Sequence, residues 1–168
     1  MGMMKPSLVL LICLVWMSAL LGSSREAHAQ TPLPQTLLSL PADTWYAVPN
    51  THMREVCAPP EFHVHGFQLC GAIVGAWGGG AYDSVHRKML IWGGGHETYY
   101  GNEVYAFDIP SGRWERLNDP SAGPFNQDPL ADGKPVSRHA FDGLQYITHA
   151  NRFFGYGGAQ RKTAAVPM

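Results

Sequence analysis

One motif occurs twice in this chain. Residues 82–94 read YDSVHRKMLIWGG and residues 146–158 read YITHANRFFGYGG. Tyr82 aligns with Tyr146, Lys88 with Arg152, Leu90 with Phe154, Trp92 with Tyr156, and Gly93-Gly94 with Gly157-Gly158, every pair 64 residues apart. Each copy reads as a hydrophobic strand, a polar turn, a second hydrophobic strand and a glycine pair. A fixed spacing of this kind is the signature of stacked supersecondary units. One such unit cannot bury its own apolar faces, so the repeat constrains the fold more than any other feature.

The ends and the composition narrow the rest. Lys5, the apolar run 8–21 and the Ala27-His28-Ala29 site read as an export signal over 1–29, with the mature chain starting at Gln30. The apolar run is too short to span a bilayer, so no stable membrane span is expected after cleavage. Cys13 does not make a lipid-attachment site, because Ile12 stands where a small residue is needed. The protein is expected to be exported, to a periplasmic or extracellular space. Charged residues are 15% of the chain, below the ~25% of a typical domain, and its 19 glycines exceed the usual share. That balance favours turn-rich β structure over helix. The net charge is −1 and no basic stripe is present, which argues against a nucleic-acid partner. Cys57 and Cys70 are the only cysteines of the mature chain, and export permits a disulfide between them.

Along the chain, residues 30–44 hold three prolines and no usable period, and read as a linker. Residues 45–48 (WYAV) read as a short strand. Residues 71–82 read as a glycine-rich buried strand, 83–87 as a turn and 88–92 as a continuous apolar strand. Residues 103–108 (EVYAFD) alternate with a period of two, and 113–117 (RWERL) follow the turn signal Pro110-Ser111-Gly112. Residues 118–135, with four prolines, two glycines and three aspartates, read as a long surface loop. One complete unit of four antiparallel strands, 71–117, is therefore expected, followed by a partial second unit over 138–158. The expected fold class is all-β, with the architecture of β-propeller blades.

The glycine pair after the second strand, Tyr105 in the third and Trp114 in the fourth resemble the kelch repeat. The strings AWGGGAYD, LIWGGGHETYYGNEVYAFD and SRHAFDGLQY are similar to exported bacterial kelch-type proteins grouped with the galactose oxidase central domain. The resemblance covers about residues 45–158. Residues 45–50 (WYAVPN) resemble 114–119 (WERLND), which implies a ring-closing strand over 45–49 that completes the last blade of a propeller. That blade is absent from this sequence, the tail 159–168 has no strand pattern, and the chain is expected to be the N-terminal part of a longer protein.

Several residues are candidates for chemistry. His96 follows the triple glycine 93–95, and Arg138-His139 opens the second unit where the first has Val74-Gly75-Ala76. These three side chains, His96, Arg138 and His139, are the candidate ligand-binding set at a channel mouth. Arginine offers paired donors to a carboxylate or sugar hydroxyl. His63 and His65 share one face if extended, yet third and fourth metal ligands are not evident. Trp77, Trp92, Tyr99, Tyr100 and Tyr105 are expected to pack between units. No complete catalytic set, phosphate-binding loop or cofactor motif is present. The copper site implied by the galactose oxidase resemblance needs a cysteine cross-linked to a tyrosine, and neither repeat holds a cysteine. The expected role is a binding or scaffold module for carbohydrate or protein. The alternatives are a galactose oxidase-like copper oxidoreductase or a carbohydrate-active enzyme, with the active site in further blades.

Overall fold

The apolar strings and turn signals become a meander. A computed structural model of the chain describes residues 32–66, 69–95 and 98–159. Strands β1 (Gly79–Asp83), β2 (Lys88–Trp92), β3 (Tyr105–Asp108) and β4 (Arg113–Arg116) form one four-stranded antiparallel sheet in the order β1-β2-β3-β4. Strands β5 (Leu144–Ile147) and β6 (Arg152–Gly155) form a separate hairpin. Two short helices precede them, α1 (Leu33–Leu38) and α2 (Ala72–Gly75). The fold is therefore strand-rich with little helix.

The repeat is present in the ladder itself. Tyr82 pairs with Met89 and Gly80 with Ile91. Sixty-four residues on, Tyr146 pairs with Phe153 and Leu144 with Gly155. The backbone agrees: the left-handed residues Trp77, Arg87, Gly93 and Gly94 recur as Phe141, Asn151, Gly157 and Gly158. A one-residue slip would turn every side chain to the other face, so shared register means shared faces. The first hairpin turn is held by Asp83, whose Oδ1 accepts from the backbone N–H groups of Val85 (3.0 Å) and His86 (2.9 Å). Ile147 takes that place in the second hairpin, where a short 3-10 turn, Thr148–Ala150, leads to left-handed Asn151.

Alternation gives the four-stranded sheet two buried faces. Ile91 and Tyr105, paired across β2 and β3, pack with Met53, Cys70, Ala72, Ile73 and Tyr99. Trp92, with Ala81 and Val104, packs on the other side with Ala140, Leu144 and Phe153 of the second unit. The first face is thus covered by Met53, Cys70, Ala72, Ile73 and Ala76, and the second by the β5–β6 hairpin. Strand β1 lies against β5. Gly79 makes that approach possible, since a Cβ there would sit 1.9 Å from the Phe141 carbonyl oxygen.

Three sequence expectations change. Residues 30–44 include α1, a helix of six residues whose Leu33 is buried, so the described part of the expected linker is docked and partly regular. Residues 45–48 carry no strand, and Trp45 is 99% exposed, because no described segment offers them a ladder partner. The strand expected over 71–82 begins only at Gly79, after α2. Its partner β2 stops at Trp92, where left-handed Gly93 turns the chain away, so the β1–β2 ladder ends at Gly79. The export signal over 1–29 and most of the tail 159–168 lie outside the described residues. Among the described residues no helix is long and apolar enough to cross a membrane.

Candidate functional site

The second unit enters along residues 137–141, threaded between the glycine turn of the first unit and its own hairpin. Ser137 Oγ donates to the Gly93 carbonyl (2.9 Å), and Phe141 N–H donates to the Trp77 carbonyl (3.0 Å). His139 and Ala159 exchange both backbone hydrogen bonds, at 2.8 and 3.0 Å. Gly93 is required for this docking, since a Cβ there would come within 2.8 Å of the Arg138 carbonyl oxygen.

Arg138 and His139 are neighbours in an extended stretch, and their side chains leave in different directions. Arg138 lines a cavity of about 380 Å³ with Trp92, Asn118, Lys134, Leu144 and Tyr156. Its guanidinium donates to Asp128 Oδ2 (2.6 Å) and to the Gly157 carbonyl (3.1 Å), and lies 5.9 Å from the Trp92 ring centre. A planar donor group held at these points ties the long loop, β2 and the end of β6 together. His139 instead packs beside Trp77 (5.0 Å between ring centres) and Phe141 (6.2 Å). Its ring lies so close to Gly95 that a Cβ there would meet Nε2 at 1.9 Å. His96, the third candidate, lies outside the described residues, although the preceding Gly95 does reach His139. The structure therefore joins His139 to the glycine turn and sends Arg138 to a separate cavity.

The long loop 118–135 is fixed by side-chain bonds that residue type alone did not reveal. Asn102 Nδ2 donates to Ser121 Oγ (2.8 Å) and the Pro135 carbonyl (2.9 Å), and Asn102 Oδ1 accepts from Ser121 N–H (2.8 Å). Ser121 Oγ donates on to Asp132 (2.8 Å), and this bond holds the Asp132 carboxyl below its ordinary range.

Glu103 is another group the sequence did not single out. It is fully buried, and its Oε1 accepts from the hydroxyls of both Tyr99 and Tyr105. Burial first, then the adjacent carboxylate, pushes both phenols far above their ordinary range, so both stay neutral donors. A period-two pattern assigns position 103 to a face but does not say that two tyrosines converge on it. Of the expected packing aromatics, Trp92, Tyr99 and Tyr105 are buried, and Tyr100 stacks on Phe125 at 5.6 Å. Trp77 departs from that expectation and is 68% exposed.

Cys57 and Cys70 are joined by a disulfide with Cα atoms 6.0 Å apart. Neither sulfur is then open to cross-linking with a tyrosine. The bridge lines a second cavity of about 380 Å³ together with Arg54, His63, His65 and Tyr99. Left-handed His63 breaks the extended run that would have placed both imidazoles on one face. Among the described residues no three His, Cys, Asp or Glu side chains are placed to hold a metal ion. No protein-family model matches this chain, and no curated protein or solved structure does either.

Proposed function

We propose that the chain is part of an exported propeller-type repeat protein that acts as a binding or scaffold module, with carbohydrate or protein as its ligand. The observation that carries this reading is the same hairpin built twice in one register, with the second copy packed against the sheet of the first. The ligand site is the cavity at their junction, where Trp92 and Tyr156 supply aromatic surface and Lys134 and Arg138 supply donors. Cavities of this size, mostly apolar with a few polar groups, are common sites for small ligands. The buried tyrosines, kept neutral by burial first and then by Glu103, act as struts.

The test uses Tyr156, which lines the cavity yet is 80% exposed and absent from both cores. Tyr156→Ala is expected to weaken retention on immobilised polysaccharide, or capture of a protein partner, with an unchanged melting temperature. Unchanged retention and capture would remove the cavity as the site. Turnover of a primary alcohol by the purified chain with added copper would replace the binding reading with the oxidoreductase one.

A second reading concerns how the units continue. The segment holding Met53, Cys70, Ala72, Ile73 and Ala76 already covers the face of the first sheet that a closing blade would occupy in a ring. That favours an open stack of units with this segment as its cap, as repeat arrays require at their ends.

A further inference from the structure

We propose that Trp77 and Phe141 are two adjacent stacking platforms for a neutral oligosaccharide, one platform per repeat, with His139 between them. The inference deepens the carbohydrate side of the binding reading and rests on it, but places the ligand outside the junction cavity.

Trp77 and Phe141 stand 64 residues apart, each just before the first strand of its unit. Both have left-handed backbones, with φ of 45° and 52°. That region is sparsely populated for large side chains, and such strain collects at ligand sites. Glycine would adopt it freely, yet both units keep an aromatic ring there. Trp77 is 68% exposed and Phe141 47%. Trp77 keeps that exposure with the second unit already docked on it through His139 and the Phe141 N–H. Its exposure is therefore a property of the assembled pair of units.

The chemistry of the patch selects the ligand. At these exposures the two rings offer roughly 250 Å². That is well below the ~800 Å² each partner buries in a stable protein interface. It suits sugar rings, whose C–H faces stack on aromatics while their hydroxyls turn to polar neighbours. The exposed Asp142, next to Phe141 in the chain, supplies such a neighbour, while buried His139 packs against both rings. Arg138 points instead into the junction cavity, so among the described residues it does not favour an anionic sugar at this patch. Two rings in sequence favour a ligand of at least two sugar units.

The experiment titrates the full chain with cello-, malto-, xylo- and chito-oligosaccharides and repeats this for Trp77→Gly, Trp77→Tyr and Phe141→Gly. At least one neutral series is expected to bind. Trp77→Gly is expected to weaken it roughly tenfold or more, without lowering the melting temperature, because glycine relaxes the backbone. Trp77→Tyr keeps a ring and is expected to retain most of the affinity. Phe141→Gly is expected to weaken long oligomers more than disaccharides. Unchanged affinity in Trp77→Gly, alongside loss in Tyr156→Ala, would overturn the platform and leave the junction cavity as the site. If no neutral series binds the unaltered chain, the platform falls, and capture of a protein partner would still uphold the module. Binding of proline-rich peptide through Trp77 would overturn the sugar assignment.

Discussion

At the scale of single residues, strand-end aspartates hold the hairpin turns. Burial would raise the Asp83 carboxyl, but the backbone N–H and ring of His86 outweigh it, so its pKa lies below the ordinary 3.8. Asp108 is lowered in the same way at the β3–β4 turn, first by the Ser111 hydroxyl and then, against burial, by the Ser111 N–H. A depressed carboxyl stabilises the fold above its unfolded pKa, and that stability is lost as pH falls through the folded value. The melting temperature is therefore expected to fall as pH drops below about 4, with a shallower fall in Asp83→Asn combined with Asp108→Asn. An equal fall in both proteins would remove these two groups from the acid response. Asp83→Ala also strips two backbone N–H groups of their acceptor. It should cost about 1–3 kcal/mol in denaturant melts, with the β1–β2 amides losing protection first.

Each structural element depends on a different kind of bond. Leu144 is 2% exposed and fills the space beside Gly79 and Gly155, where an added Cβ would lie 3.5 and 3.3 Å from its methyl groups. Leu144→Ala should cost about 2–4 kcal/mol and should release β5–β6 while β1–β4 stays protected in hydrogen exchange. Residues 53–76 depend on the Cys57–Cys70 bridge, which closes a separation of 13 residues. Replacing both cysteines by alanine should cost about 3 kcal/mol and expose Met53 and Ile73 in footprinting. An unchanged melting temperature would show that the apolar contacts of this segment suffice. These elements were unequally legible in the sequence. Strand β2 and the β3–β4 hairpin could be read from continuous apolar residues, period-two alternation and the Pro-Ser-Gly turn. The extent of β1 could not, because it depends on where left-handed Gly93 ends its partner. The aromatic string at 45–48 carries strand-forming residues, and propensity cannot supply a ladder partner. Arg138 and His139 were legible as a departure from the repeat, but their divergence follows from contacts with Asp128 and Gly95 that only tertiary packing creates.

In the molecule as a whole, two copies of one hairpin unit stack with their first strands, β1 and β5, against each other. The proposed function rests on that packing, since it creates both the junction cavity and the pair of exposed rings. Ser84 and Thr148 are equivalent positions in the two units, and their hydroxyl oxygens lie 3.4 Å apart. The stacking can be tested by disulfide mapping of Ser84→Cys combined with Thr148→Cys, in protein oxidised under conditions that close Cys57–Cys70. A peptide joining positions 84 and 148 is expected, with the native bridge intact. Two free thiols at these positions in folded, oxidised protein would contradict this stacking, and with it the junction that both proposed sites require.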